Sequence, residues 1–218
     1  MFESLIDTIN KKQFMATQLD YNQKSINERI ILKEVIKLLY NKDTHDIQYY
    51  FTDIESKDFY DGYVMIFAKG TGSIIKRHLI EIKVRDTHYD TLLLEKKKLT
   101  NLKKKADESG ASVIYISCTP EGSFVYNLTR LENKIGFEWL KEEHNKTTTD
   151  KSLGKETKTI AYLPTKYAKY IEVRQTDLEV LKRLKNVEET IIKTTVQSKQ
   201  RKHLFDILLF ADNIKKIA

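Results

Sequence analysis

The sequence is poor in residues that punctuate or cross-link a chain. Its 218 residues include two prolines, seven glycines, one tryptophan and one cysteine. A lone thiol, Cys118, excludes an internal disulfide and any zinc cage built from cysteines. It closes the apolar run 113–118, where a small core thiol is the plain reading and a nucleophile the sharper one. The five histidines, His45, His78, His88, His144 and His203, show no H-x-x-x-H or comparable ligand spacing, which argues against zinc chemistry. No uninterrupted apolar stretch approaches the roughly 18 to 20 residues of a membrane span. The first residues, from Met1 to Asp7, have no basic region followed by an apolar block, so no secretory signal is visible. With 32% charged residues and a mean hydropathy of -0.50, the chain reads as a soluble intracellular protein without a membrane partner.

What is plentiful is lysine. Lysine and arginine number 38 against 31 acids, giving a net charge of +7 and an isoelectric point near 9.2. That balance suits a polyanionic partner, because cations on a protein surface release counterions from a phosphate backbone. The same lysine, isoleucine, asparagine and tyrosine richness also follows from an AT-rich genome, so charge alone leaves nucleic-acid binding an even choice. The length is enough for one full core with an appendage.

The chemistry-bearing stretch lies between Asp61 and Lys98. Asp61 leads an apolar run through Phe67, and a second run, 79–84, carries Glu81, Ile82 and Lys83. Residues two apart on a strand share a face, so Glu81 and Lys83 project together while Ile80, Ile82 and Val84 fill the other side as core. With Asp61 on a neighbouring strand, two carboxylates converge beside an ammonium. Hard oxygen ligands of that kind suit magnesium or manganese, and the reaction best served is hydrolysis of a phosphodiester. The plainer readings are a turn carboxylate at Asp61, followed by Gly62, and a surface ion pair for Glu81 and Lys83. Asp53 and Glu55, in the polar turn before Asp61, open no apolar run.

At these residues the chain resembles the PD-(D/E)XK nuclease superfamily, which includes restriction enzymes, Holliday-junction resolvases and phage exonucleases. Asp61 matches the aspartate, and Glu81, Ile82 and Lys83 match the E-x-K element; Tyr60 stands where the family's proline would be. The resemblance spans roughly residues 24 to 130. It implies a restriction-endonuclease-like α/β core: a helix, three strands, a helix and two strands around a mixed central sheet. It further implies that Asp61, Glu81 and the backbone carbonyl of Ile82 hold Mg2+ or Mn2+, and that Lys83 positions or activates the attacking water. A third carboxylate often comes from the first helix; Glu28 and Glu34 are both candidates, and Glu28 is preferred because it lies in line with Ile31 and Val35. Lys98 matches by helix face the family's lysine or glutamine near the scissile phosphate, while Lys96, Lys97, Lys103 and Lys104 are candidates for backbone-phosphate contacts. The implied partner is DNA, in the cytoplasm of a bacterium or a phage-infected cell, and the compact core suits a resolvase or endonuclease of phage or mobile-element origin.

The remaining elements follow from pattern. A short helix is possible over 2–10. Ser25 and Glu28 fit a capping box for a helix over 26–41. Strands are expected at about 46–52, 61–67 and 73–85, with Gly70, Thr71 and Gly72 as a hairpin loop. A helix is expected over 91–109, stopped by Gly110, then a doubly buried strand at 111–118 and another at 124–128. The core therefore ends near residue 135. Residues 136–218 read as a polar loop (142–158), one short edge strand (160–164), a possible helix over 166–171 and a mainly helical extension. Leu204, Ile207, Leu208 and Ala211 form a terminal stripe that could dock on its own core or on a second copy in a homodimer. The rival reading is a nuclease-like fold that binds DNA or a protein without cutting.

Overall fold

The computed structural model describes residues 22–52, 60–146 and 154–186. The chain divides into two compact units, residues 1–176 and 177–218. In the first, helix α1 covers residues 22–39. It is followed by strands β1 (His45–Phe51), β2 (Gly62–Ala68) and β3 (Ile74–Val84). Strand β4 (Thr91–Glu95) runs directly into helix α2 (Lys96–Ser109). Then come β5 (Ser112–Thr119), β6 (Gly122–Asn127), α3 (Leu128–Ile135), β7 (Leu140–Asn145), β8 (Lys155–Pro164) and β9 (Lys169–Ile171). The fold is mixed α/β, with a six-stranded sheet in the order β1-β2-β3-β5-β6-β9 and a three-stranded sheet in the order β4-β8-β7. Among the described strands only β3 and β5 pair in parallel.

Register assigns the two faces of the large sheet, because paired residues point the same way. One row runs Tyr49, Val64, His78, Ser112, and the next runs Tyr50, Tyr63, Leu79, Val113. The first face meets α1: the Tyr49 hydroxyl donates to the Lys33 carbonyl, and the Arg29 guanidinium donates to the Thr52 carbonyl at the strand's end. Ile31, Leu32, Val35 and Ile36 of α1 and Ile66, Ile80, Ile82 and Ile116 of the strands are all essentially inaccessible. The second face packs on α2. There Leu79, Val113, Tyr115 and Tyr126 join Leu99, Leu102 and Ala106 of the helix and Leu92, Leu94 and Leu163 of the small sheet in one cluster. Glu81 and Lys83 share a face of β3, with Ile80 and Ile82 on the other as core, and the shared face is covered as well, so that Glu81 is 2% exposed rather than part of a surface ion pair.

Other expectations shift for physical reasons. The helix expected over 91–109 begins only at Lys96, because Leu92 and Leu94 alternate inward and pair with Leu163 and Ala161 of β8. Its end is as expected: Gly110 takes a left-handed φ of 60°, and the N–H of Ala111 reaches the Ala106 carbonyl at 2.9 Å. Helix α1 is already formed at residue 22, so Ser25 lies inside it and is not its cap. Residues 136–171, read as a polar loop, one edge strand and a possible helix, supply three strands, with β8 at the centre of the small sheet rather than at an edge. Cys118 is a core thiol directed at the Val173 carbonyl, 3.7 Å away. In the second unit a helix, α4, covers residues 178–186. The expected helix at 2–10 and the stripe at Leu204, Ile207, Leu208 and Ala211 lie outside the described residues.

His78, 5% exposed, stands with its Nε2 at 2.5 Å from the Tyr40 hydroxyl. Burial, and then the nearby Lys76 charge, lower its pKa from 6.5 to about 4. The folded state thus prefers neutral imidazole, and the stability this confers is complete above pH 6.5 and is lost as the pH falls toward 4. Thermal unfolding across pH 4 to 7 should show His78→Gln losing less stability on acidification than wild type, by up to about 3 kcal/mol. Equal losses in the two proteins would contradict the assignment.

Candidate active site

The site forms where the β2–β3 ladder stops. Pairing starts at Gly62 opposite Ile80, whereas β3 stays paired to β5 through Val84. Residues 81–84 thus extend past the last rung on the β2 side. Asp61 stands at this point and replaces the missing rung: its N–H donates to the Ile80 carbonyl at 2.9 Å, and its Oδ2 accepts the Ile82 N–H at 2.8 Å. A residue's N–H and C=O leave a strand on the same side, so the Ile82 carbonyl also faces this notch.

Through the notch, groups from both sheet faces meet. Lys83 Nζ lies 2.9 Å from Glu81 Oε1 and 3.7 Å from Glu28 Oε1, the latter delivered by α1 from the opposite face. Lys98 of α2 reaches the same Glu81 oxygen. Glu28 is 5% exposed, and its Oε1 is a buried oxygen with no hydrogen-bond partner. Glu34 instead sits on the surface of α1, 3.5 Å from Lys37. Of the two first-helix candidates, only Glu28 joins the cluster.

The electrostatics follow from crowding acids in a desolvated notch. Burial first, then the Glu81 charge, push the Asp61 carboxyl up to about 7 against the opposing pull of Lys83. Burial likewise raises Glu28. For Lys83, burial works against the charged form, but Glu81, Asp61 and Glu28 together outweigh it and hold the ammonium above its ordinary value. Lys83 is therefore a persistent cation and hydrogen-bond donor in this arrangement. Among the described residues no three His, Cys, Asp or Glu side chains form a ready-made cation cage. The ammonium stands among the acids instead.

The structure thus brings together Asp61, Glu81, Lys83, Glu28 and Lys98. The other helix lysines are placed differently: Lys96 Nζ lies over the Trp139 ring at 5.5 Å, Lys103 pairs with Glu132 at 2.6 Å, and Lys97 and Lys104 are exposed on α2. Sequence reasoning missed Tyr115, which lies beside Glu81 in the β3–β5 register, 4% exposed. Its phenol is held well above its usual range, by burial and then by the Glu81 charge. Only the strand register reveals it. Asp53 and Glu55 lie outside the described residues.

No family model matches the chain, and no curated protein matches its sequence. A solved structure titled "Structure of D212, a nuclease from a fusselovirus" aligns over 75% of this chain and 90% of its own, at 14% identity and a TM-score of 0.35. A likeness of that size fixes neither family nor activity.

Lys83 is the only ammonium within ion-pair distance of both Glu28 and Glu81 among the described residues. Lys83→Ala should lower stability by roughly 1 to 3 kcal/mol at neutral pH in EDTA, since it leaves buried acids uncompensated. Adding Glu28→Gln should restore part of that loss. Additive losses in this double-mutant cycle, measured by chemical denaturation, would show that the two groups do not interact.

Proposed function

We propose that this chain is a metal-dependent nuclease that hydrolyses phosphodiester bonds of DNA, with the PD-(D/E)XK arrangement of residues and a resolvase or endonuclease type of action. The observation that carries the reading is the convergence of Asp61, Glu81 and Glu28 on Lys83 at the open end of the β2–β3 ladder. The donor types suit a hard divalent cation, being three carboxylates, a strand carbonyl on the same side and a buried Glu28 oxygen without a partner. The carboxylates would have to draw together around it, since as they stand they form no ready-made cage. Asp61, Glu81 and the Ile82 carbonyl would hold Mg2+ or Mn2+, with Glu28 completing the set. The chemistry such a cation supplies is Lewis acidity toward a phosphodiester.

The chain's own groups supply the rest. Lys83, held protonated by its acidic neighbours, acts as a fixed donor: it orients the attacking water and offsets the negative charge that grows on the phosphoryl oxygens. Lys98 bonds Glu81 from α2 and presents its charge on the same side, where a scissile phosphate would sit. Asp61, fixed by the Ile82 N–H, keeps its carboxylate in register with Glu81.

A second reading, a non-catalytic DNA- or protein-binding module, draws on one observation: Lys83 and Lys98 both bond the same Glu81 oxygen and compensate its charge. Cleavage assays separate the two. Purified protein is incubated with labelled duplex, single-stranded, flap and four-way-junction DNA in Mg2+, Mn2+ or EDTA. Wild type should cut only with a divalent ion, and Glu81→Ala and Lys83→Ala, checked for folding by circular dichroism, should lose at least about 100-fold in rate. Wild-type rates in both variants would sink the assignment; retention of DNA without cutting would favour the module.

Metal binding has its own readout. Mg2+ or Mn2+ should raise the melting temperature of wild type, and Glu28→Gln should diminish that rise while Glu34→Gln leaves it unchanged. Equal shifts in all three proteins would remove Glu28 from the set.

A further inference from the structure

At the other end of β3 lies a second feature with a different chemistry. Pairing of β3 with β5 begins only at His78, so residues 74–77, still paired with β2, extend past the start of β5 as one wall of an open groove of about 420 Å³. The C-terminal end of α1, with Leu39 and Tyr40, makes a second wall, and Ile114, Val125 and Asn127 line it from the sheet. Three cations line it: Lys76, Arg77 and Lys169 of β9. No carboxylate lines it, and among the described residues none of the three cations is ion-paired, Lys76 resting over the Tyr40 ring at 5.5 Å, whereas Lys83, Lys98, Lys103 and Lys158 are each held by an acid. Ile74 and Ile75 on the overhang are 41% and 45% exposed.

An independent observation points the same way. His78 lines the groove, is 5% exposed, and its Nδ1 has no hydrogen-bond partner. In the tautomer that lets the Tyr40 hydroxyl donate to Nε2, Nδ1 carries the hydrogen and is a buried donor lacking an acceptor. Cations without an acid partner among the described residues, an unused donor and an apolar floor complement a chain that carries phosphates outside and apolar surfaces between them. We infer that this groove is a second nucleic-acid contact, in which Lys76, Arg77 and Lys169 take backbone phosphates of the same strand or duplex that reaches Glu81. From Lys76 to Glu81 is five residues of strand, about 17 Å, so a duplex in the notch extends over the groove within about five base pairs, and an extended single strand within fewer nucleotides. The inference shares the nucleic-acid partner of the proposed function but none of its chemistry.

The test is equilibrium binding in EDTA, followed by fluorescence anisotropy with labelled single-stranded and duplex 20-mers over a range of salt. The triple variant Lys76→Ala/Arg77→Ala/Lys169→Ala is compared with wild type and with Lys97→Ala/Lys104→Ala on α2. The groove variant should weaken binding at least tenfold at about 0.1 M salt and lower the slope of log affinity against log salt by about 2, from roughly 0.7 to 0.9 per phosphate contact. The oligonucleotide that shows the larger loss identifies the form bound there. Lys76 and Lys169 are exposed and Arg77 is half-buried, so the Lys76→Ala/Lys169→Ala double variant, which should leave the melting temperature in place, separates binding from folding, and a conservative Lys76→Arg/Arg77→Lys/Lys169→Arg variant should keep the affinity. Unchanged affinity and slope in the groove variant, with binding lost in the α2 variant, would overturn the inference while leaving the nuclease reading intact. No binding by wild type to either DNA would overturn both.

Discussion

The arrangement depends on one substitution of a hydrogen bond. At the end of the β2–β3 ladder a backbone rung is replaced by a carboxylate: Asp61 gives its N–H to Ile80 and takes the N–H of Ile82. This keeps the strand ordered beyond its last partner and at the same time fixes an acid beside Glu81. Had β2 begun two residues earlier with an ordinary pair, the sheet would have closed over the position where Glu28 now meets Lys83. The notch exists because the ladder is short on one side and long on the other.

The cost of such a site is visible in its charges. Burial alone would discharge Asp61 and Glu28, and it works against a charged Lys83. The cluster persists because each group supplies what its neighbours lack, and because α1 and α2, packed on opposite faces of β3, hold Glu28 and Lys98 in place with apolar contacts of their own. Stability here comes from the two helix–sheet interfaces. The acids are a local deficit that those interfaces offset, a common condition for groups retained for chemistry.

Much of the site was legible in the sequence because its signals are local. The apolar run after Asp61, the alternation around Glu81 and Lys83, and the stripe of Leu99, Leu102 and Ala106 each state an element within a few residues. Helical phase favoured Glu28 over Glu34 without deciding between them, and the structure places the first in the notch and the second toward the surface. What was illegible depends on distant pairing. Leu92 and Leu94 continue naturally into a helical stripe, and only Ala161 and Leu163, some 70 residues on, make them a strand. Tyr115 sits in an apolar run indistinguishable from core until β5 is known to lie against β3. The burial of Glu81 was illegible for the same reason, since nothing near it in the sequence says that a second sheet and α2 cover its face.

The central claim is that these acids, with Lys83, form a cation site at the notch. Its most direct test is anomalous diffraction from crystals grown with Mn2+. The account requires a peak roughly 2.2 Å from carboxylate oxygens of Asp61 and Glu81 and from the Ile82 carbonyl, with Glu28 close by. A fully loaded crystal with no peak there, and Lys83 still seated between Glu81 and Glu28, would contradict it.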